Sequence, residues 1–273
     1  MSALKLTLLQ TRTYWHDPAA NRAHFESLLA QLADPGDLVV LPEMFTTGFT
    51  MDSAAQAEPV DGTTSRWLQD LAVRYRTTLC GSVVIRDGSA HYNRLLWAGP
   101  DRSLQHYDKR HRFRMAGEHE HYAAGTTRQV FTVNGVRVCP LICYDLRFPV
   151  WSRNLDDYDL LLYVANWPAA RRLAWQRLLP ARAVENISYV AAVNVIGIDG
   201  NGVTYAGGSG VWGPSGAALA QAGAAECSLQ LTLDLGALQR DRAAFPAHLD
   251  RDGFSLHTDS GSIVGTQDPT ECS

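Results

Sequence analysis

The stretch Val138–Pro149, with the sequence VCPLICYDLRFP, joins an apolar run to a charged segment. The run VCPLIC is typical of a buried strand, and it ends at Cys143. Two other apolar runs end in a similar way, DLVVLPE at Glu43 and DYDLLLYVANWP at Pro168. Helical patterns lie between such runs. This order of elements indicates an α/β fold in which helices cover layered sheets.

Capping residues and periodicity predict the helices and the outer strands. Asp17 is a good N-cap, and Pro18 suits the first position of the helix that follows. Further helices are expected at Thr64–Tyr75, at Arg171–Asn186 and, as a short segment, near Phe148. Strands are expected at 4–10, at 228–235, over two or three runs of 77–109, and on both sides of the Asn-Gly turn at 134–135.

Length and composition are those of one large domain. The chain has 273 residues, of which 46% are hydrophobic, and no linker-like tract, charge block or repeat interrupts it. A chain of this size can bury one sizeable core. We therefore expect a single domain over 1–273, with a core at about 4–246 and a C-terminal tail at 247–273 that has weak periodicity.

Charge and cysteine content exclude several classes of protein. The net charge of −4 disfavours nucleic-acid binding. The first apolar run is interrupted by Lys5 and lacks a signal-peptide cleavage site, and no window approaches the ~18 apolar residues of a membrane span. The five cysteines are scattered and odd in number, which argues against a disulfide framework. We expect a cytoplasmic protein that binds neither membrane nor nucleic acid.

Three residues at the ends of predicted strands could carry chemistry: Glu43, Lys109 and Cys143. A cysteine thiol attacks a carbonyl carbon once it is deprotonated, and a nearby cation favours the thiolate. A carboxylate in a dry pocket can act as general base and then as general acid. A lysine ammonium can stabilise an oxyanion. Together they are the parts of an acyl-transfer enzyme that uses no histidine.

Each of these residues also has a simpler interpretation when it is taken alone. Buried free cysteines usually act as small hydrophobic residues, and this is the commoner role for a residue such as Cys143. Glu43 could cap a surface loop. Lys109 stands among Arg110, Arg112 and other basic residues, as on a solvated basic face. The combination of the three, rather than any one, favours catalysis.

The same segments resemble the nitrilase superfamily of carbon–nitrogen hydrolases over about 4–246. In that family a glutamate follows an apolar strand as LPE, a lysine lies in Y-x-K-x-H-x-F, and the cysteine lies in I-C-Y-D-x-R-F-P. The matching segments here are LPE at 41–43, YDKRHRF at 107–113 and ICYDLRFP at 142–149, in the family's order. The resemblance implies a four-layer αββα sandwich that dimerises through its outer helices and needs neither metal nor cofactor.

The resemblance also implies roles for the matched residues. Cys143 would be the nucleophile and Glu43 the base that takes its proton. Lys109 and the backbone N–H of Tyr144 would hold the oxyanion. A second glutamate, seven positions before a glycine, would orient the lysine or the attacking water, and it matches Glu118.

Two glutamates, Glu118 and Glu120, could fill the role of the second glutamate. Glu118 stands seven residues before Gly125, but Glu120 lies only two positions away. The motif favours Glu118, and the alternative stays open at this point.

Two segments, LPEMFTTGF at 41–49 and ANWPAARRLAW at 165–175, are most similar to the omega-amidase (2-oxoglutaramate amidase) branch. That branch releases ammonia from the terminal amide of short dicarboxylic monoamides. An aliphatic nitrilase or a carbamoyl-amide hydrolase would use the same glutamate, lysine and cysteine, so both remain as alternatives.

Such a substrate carries a carboxylate, and arginine is the residue best suited to bind one. Several arginines lie near the catalytic motifs, namely Arg112, Arg114, Arg128 and Arg147. Aromatic residues near strand ends could form the walls of the pocket, namely Phe45, Tyr144 and Trp167. From these sets, Phe45, Arg112 and Trp167 are the candidate substrate-binding residues.

Other functional classes find little support. Four histidines lie close together, His106, His111, His119 and His121, but their spacing fits no closed zinc motif and their segment is basic. The glycine-rich segment YAGGSGVWGPSG at 205–216 lacks the lysine of a phosphate-binding loop. A binding module with a dead site would not be expected to keep all three catalytic residues. The predicted partner is therefore a small amide.

Overall fold

Two β-sheets form the centre of the computed structural model, which describes residues 3–258 and 261–265. In chain order the strands are β1 (Ala3–Gln10), β2 (Leu38–Val40), β3 (Glu58–Pro59), β4 (Thr78–Asp87), β5 (Ala90–Ala98), β6 (Leu104–Asp108), β7 (Phe131–Val133), β8 (Val136–Ile142), β9 (Leu160–Ala165), β10 (Tyr189–Asn194), β11 (Ile196–Ile198), β12 (Thr204–Ala206), β13 (Gly210–Trp212), β14 (Ala218–Gln221), β15 (Cys227–Asp234), β16 (Phe254–Thr258) and β17 (Gly261–Gly265). The first sheet has the order β15-β1-β2-β4-β5-β6, with β3 beside β4, and the second has the order β14-β13-β10-β9-β8-β7. Strands β11 and β12 form a separate pair, as do β16 and β17.

Helices join and cover these strands. The α-helices are α1 (Pro18–Ala30), α2 (Ser53–Gln56), α3 (Thr63–Tyr75), α4 (Glu118–His121), α5 (Pro149–Ser152), α6 (Arg172–Asn186) and α7 (Leu235–Ala244). Short 3₁₀ helices lie at Arg114–Ala116, Cys143–Arg147, Ala169–Arg171 and Ala247–Asp250. The Asp17 side chain caps α1 by accepting a hydrogen bond from the Ala20 backbone N–H at 2.9 Å, as the sequence predicts.

The four-layer sandwich is confirmed by the way neighbouring residues of one strand face opposite sides. In β1, Leu8 faces the core between the two sheets, whereas Leu9 contacts the core beneath α1 and α3. In β5, Leu95 likewise faces the core between the sheets, and Leu96 contacts the core beneath α1 and α3. Residues of α6, such as Trp175, join the inter-sheet core from the side of the second sheet. Alternation along the strands therefore gives the order helix, sheet, sheet, helix.

The sequence predicts most of these elements to within a residue or two. The helices expected at Thr64–Tyr75 and Arg171–Asn186 correspond to α3 and α6, and the short helix near Phe148 corresponds to α5. Asn134 and Gly135 both have positive φ, 50° and 79°, as a tight hairpin turn requires.

The tail expected at 247–273 contains an element that was not predicted, the β16–β17 hairpin. The rest of that expectation, 266–273 with Cys272, lies outside the described residues. Among the residues that are described, no helix is long and apolar enough to span a bilayer.

Candidate active site

Four polar residues that follow strands converge between the two sheets. Glu43 lies just beyond β2 and Lys109 directly after β6, in the first sheet, whereas Cys143 follows β8 and Asn166 follows β9, in the second. Strands β8 and β9 run parallel, so their carboxyl ends lie at the same edge. Such an edge is the usual location of a site in an α/β fold.

Lys109 lies at the centre of this group. Its side chain is 1% exposed, and Nζ lies 2.8 Å from Oε1 of Glu43 and 2.9 Å from each carboxylate oxygen of Glu118. Burial alone would lower the pKa of Lys109, but the carboxylates of Glu118 and Glu43 outweigh burial and raise it. The ammonium therefore stays charged over the physiological range and provides a fixed cation.

The Glu43 carboxylate is held by three donors. Besides Lys109, Oε1 accepts a hydrogen bond from Nδ2 of Asn93 at 2.8 Å, and Oε2 accepts one from the backbone N–H of Asn166 at 2.8 Å. The side chain of Asn166 also donates to the Glu43 carbonyl at 2.6 Å. The next residue, Met44, has a φ of 41°, which turns the chain sharply after Glu43. The orientation of this carboxylate is therefore fixed from both sheets.

Glu118, rather than Glu120, contacts Lys109. Glu118 is fully buried at the start of α4 and accepts a hydrogen bond from the backbone N–H of Phe113. Burial raises the pKa of Glu118, Lys109 opposes that shift, and the negative charge of Glu43 adds to it. The side chain of Glu120, by contrast, is 69% exposed.

Cys143 begins a 3₁₀ helix and has a φ of 43°, in the left-handed region that residues other than glycine rarely adopt. Such strain is characteristic of functional sites. Burial raises the pKa of the Cys143 thiol, and the negative charge of the Glu43 carboxylate raises it further, against the effect of Lys109. The resting thiol is therefore protonated, and Glu43 is the carboxylate with the largest effect on its pKa.

The turn that carries Cys143 is braced by Asp145. Its buried carboxylate accepts hydrogen bonds from the backbone N–H of Ile142 at 3.0 Å, from the backbone N–H and Nδ1 of His111 at 2.9 and 2.8 Å, and from the Tyr107 hydroxyl at 2.7 Å. These bonds tie the Cys143 turn to the Lys109 segment. Tyr144 lies in the first helical turn, where backbone N–H groups lack intrahelical acceptors. Its N–H is therefore available to an oxyanion.

A cleft of about 590 Å³ opens onto Cys143 and Lys109. Its aromatic walls are Trp15, Phe49, Phe113, Tyr144, Trp167 and Tyr205. Two arginines also line it: Arg147 lies over the ring of Trp167 at 5.0 Å, and Arg171 lies over the ring of Phe113 at 4.9 Å. Neither guanidinium forms an ion pair with a carboxylate of the described residues. The cleft therefore offers two cations to a ligand.

Two of the predicted substrate-binding residues lie away from the cleft, which corrects the expectation for them. Phe45 is fully buried in the core beneath α1 and α3, where its ring contacts Phe25 and Trp67. Arg112 donates to the backbone carbonyls of Tyr122 at 3.0 Å and His119 at 3.5 Å, so it braces the α4 segment. Tyr144 and Trp167, in contrast, line the cleft as expected.

Two further residues of the sequence analysis, Arg128 and His111, have structural contacts. Arg128 donates to the Arg153 carbonyl at 2.7 Å and pairs with Asp157. The His111 ring stacks on Phe148 with centroids 3.7 Å apart. Within 3–258 and 261–265, no group of three or more His, Cys, Asp or Glu residues is arranged to hold a metal ion.

Sequence reasoning missed several residues of the site. Asn166 directly follows a buried strand, the same signal that singled out Cys143, and could have been found in this way. Asn93 lies inside β5 and gives no such signal. Arg171 and Trp15 reach the cleft through contacts between elements that are distant in the chain.

Comparison with known proteins places this site in a family. The family model described as carbon-nitrogen hydrolase matches residues 5–243. The chain belongs to the carbon–nitrogen hydrolase family. It is therefore a hydrolase of carbon–nitrogen bonds, and the resemblance found in the three sequence motifs is confirmed.

Relatives of this family member include amidases. The chain is 48% identical to Omega-amidase YafV of Escherichia coli (strain K12), over 94% of this chain and 100% of that protein. It is 32% identical to the 2-oxoglutaramate amidase of Bacillus subtilis (strain 168), over 90% and 96% of the two chains. Among solved structures, XC1258 from Xanthomonas campestris, a CN-hydrolase superfamily protein, matches with a TM-score of 0.92 and 47% identity over 94% and 100% of the chains. The predicted branch is therefore supported along nearly the whole sequence.

Proposed function

We propose that the protein is an omega-amidase, which releases ammonia from the terminal amide of short dicarboxylic monoamides such as 2-oxoglutaramate. The observation that carries this proposal is the cleft itself, in which Cys143 faces the same space as the guanidinium groups of Arg147 and Arg171, neither of which pairs with a carboxylate of the described residues. The names of the amidase relatives support the same reaction.

The first half of the reaction forms a thioester. Glu43 takes the thiol proton as Sγ of Cys143 attacks the amide carbon. The ammonium of Lys109 and the backbone N–H of Tyr144 stabilise the oxyanion, because fixed donors in a water-poor site stabilise developing charge. When the tetrahedral intermediate collapses, the carbon–nitrogen bond breaks, and Glu43 returns the proton to the departing nitrogen as ammonia forms.

The second half hydrolyses the thioester. Glu43 takes a proton from water, whose oxygen attacks the acyl carbon, and the carbon–sulfur bond then breaks to regenerate the thiol and release the acid. Glu118 holds Lys109 in place from the opposite side through two hydrogen bonds of 2.9 Å. One carboxylate thus acts alternately as base and acid, which explains why no histidine is needed.

The carboxylate of the substrate binds to Arg147 and Arg171. Both guanidinium groups lie over aromatic rings, a contact that uses none of their hydrogen-bond donors. A carboxylate that enters the cleft can therefore form charge-assisted hydrogen bonds with them. A substrate with an amide at one end and a carboxylate at the other would bridge from Cys143 to these arginines, and Trp167 would form a wall beside it.

Replacing Arg147 or Arg171 by leucine tests this assignment. We expect each variant to lower kcat/KM for 2-oxoglutaramate by about 10- to 100-fold, the effect of losing a charged hydrogen bond. The rate with a neutral amide such as butyramide should change little. Ammonia release measured with both substrates gives the comparison, and Arg114→Leu, at an exposed position next in sequence to the cleft residue Phe113, is the matched control. Equal losses with both substrates would contradict a role in carboxylate binding.

We also propose that the whole chain acts as one hydrolase domain and forms a homodimer through its outer helices. Exposed apolar residues on α5 and α6 support this interface: Val150, Leu173 and Val184 are 50%, 66% and 51% exposed. Sedimentation equilibrium should give twice the chain mass of 30.0 kDa. A mass of one chain at micromolar concentration would rule the dimer out.

The proposed location is the cytoplasm. The cysteines of the described residues are free thiols, namely Cys80, Cys139, Cys143 and Cys227. Free thiols persist in reducing compartments. Cell fractionation followed by immunoblotting tests the location, and recovery in an extracellular fraction would contradict it.

A further inference from the structure

Asn93 is a buried amide that contacts both carboxylates of the active site. Its side chain is 1% exposed within β5. Nδ2 lies 2.8 Å from Oε1 of Glu43 and 3.3 Å from Oε1 of Glu118. Lys109 donates to the same two oxygens, at 2.8 and 2.9 Å. Two nitrogen donors thus bridge the same pair of carboxylate oxygens, and only one of the donors is charged.

The backbone carbonyl and Oδ1 of Asn93 also bear on the role of this residue. Its backbone carbonyl accepts a hydrogen bond from the backbone N–H of Lys109 at 3.0 Å, so this one residue contacts Glu43, Glu118 and Lys109. Its Oδ1 is buried and has no hydrogen-bond partner among the described residues. A buried acceptor without a partner is unfavourable, and an aliphatic side chain would avoid it. The two carboxylates are therefore the reason that an amide suits this position.

We infer that Asn93 is a positioning residue, whose amide keeps the Glu43 and Glu118 carboxylates together in their ionised forms so that Glu43 can accept the thiol proton. This inference rests on the proposed function for its catalytic meaning. Ionised carboxylate oxygens only accept hydrogen bonds, so the NH₂ group of the amide must face them. A neutral donor stabilises both charges without adding a proton that could move to the substrate.

The electrostatic balance shows why a second donor is needed. Two carboxylates face a single ammonium, and like charges at short range favour protonation of one of them. The other titratable side chains near the pair are Cys143, Tyr122 and Tyr205. Burial raises the pKa of all three, so none becomes ionised on the acid side of neutrality. The two carboxylates are therefore the groups on which the Asn93 donor acts.

The test is Asn93→Leu, which keeps the volume of the side chain and removes the donor. A hydrogen-bond donor favours the ionised carboxylates, so its loss should move the acid-side midpoint of activity to higher pH. We expect a rise of about one pH unit, with about tenfold slower reaction below the midpoint and little change on the plateau. The same shift should be seen in the rate of Cys143 alkylation by iodoacetamide, identified by peptide mass, and in kcat/KM for ammonia release.

Two further variants make the result decisive. Asn154→Leu removes another buried amide, whose Nδ2 donates to the backbone carbonyls of Tyr158 at 2.9 Å and Asn186 at 3.5 Å near the opposite end of β9, and should leave the midpoint unchanged. Asn93→Ser has a hydroxyl too short to reach both carboxylates and should repeat the shift if Asn93→Leu does not fold.

An equal loss of rate at every pH, with an unmoved midpoint, would reduce Asn93 to a structural role and overturn the inference. Unchanged rates and an unchanged midpoint would overturn it as well. Iodoacetamide needs no amide substrate. A shifted alkylation midpoint in a protein that releases no ammonia would therefore contradict the proposed function and still support the role of Asn93.

Discussion

Cys143→Ala is expected to lower ammonia release from 2-oxoglutaramate by about 10⁴-fold or more, because no other group in the cleft can form the thioester. The protein should still fold. Cys143 stands at the end of β8 with its thiol toward the cleft rather than in the centre of a core, and alanine removes a single atom. Circular dichroism and the midpoint of thermal unfolding check the fold, and an enzyme-coupled ammonia assay checks the rate.

Cys139→Ala is the matched control for this prediction. Cys139 lies on β8, four residues before Cys143, and is fully buried in the inter-sheet core. Burial raises the pKa of its thiol to about 12. Its removal should lower stability modestly and leave the rate per folded molecule unchanged. If Cys143→Ala kept a tenth of the parent activity, or if Cys139→Ala lost as much as Cys143→Ala, the assignment of the nucleophile would be wrong.

Lys109→Met is expected to have the second largest effect, on both stability and rate. It leaves Glu43 and Glu118 buried and facing each other without their cation. Removing one partner of a buried ion pair typically lowers the free energy of unfolding by about 3–5 kcal/mol. Loss of an oxyanion donor separately lowers kcat by about 10²- to 10³-fold.

Lys5→Met controls for the removal of a lysine from an ion pair. Lys5 pairs with Asp34 at 2.8 Å, but both side chains are 60% exposed. Exposed pairs contribute little to stability, so chemical denaturation should scarcely distinguish this variant from the parent. A Lys109→Met protein as stable and as active as Lys5→Met would contradict both the burial and the oxyanion role of Lys109.

The central residues of the site were predictable because each follows a strand. Glu43 and Cys143 follow apolar runs and Lys109 follows β6, and packing of the two sheets brings these strand ends together. The motif spacing favoured Glu118 and left Glu120 open, and in the structure it is Glu118 that pairs with Lys109. The order of apolar runs and helical patterns predicted helices over layered sheets, and the four-layer arrangement came from the family resemblance.

Side-chain direction was not predictable in the same way. Phe45 and Glu43 lie two residues apart in one turn, yet the φ of 41° at Met44 reverses the chain between them and sends Phe45 into the outer core. Asn93 looks like an ordinary polar residue in the strand β5. Only the closure of two sheets around it shows that it faces carboxylates.

The β16–β17 hairpin was missed for a different reason. The first strand, Phe254–Thr258, alternates apolar and polar residues over only five positions, and the second, Gly261–Gly265, does not alternate. Their pairing depends on backbone hydrogen bonds between the two segments, for which local sequence gives a weak signal.

The most direct test of the central claim is the rate of ammonia release from 2-oxoglutaramate by the unmodified protein, measured beside an aliphatic nitrile and an N-carbamoyl amine of similar length. We expect 2-oxoglutaramate to be hydrolysed fastest, with one ammonia and one 2-oxoglutarate formed per turnover. No ammonia from 2-oxoglutaramate, together with turnover of the nitrile or the carbamoyl compound, would contradict the omega-amidase assignment and leave the cysteine hydrolase with a different substrate.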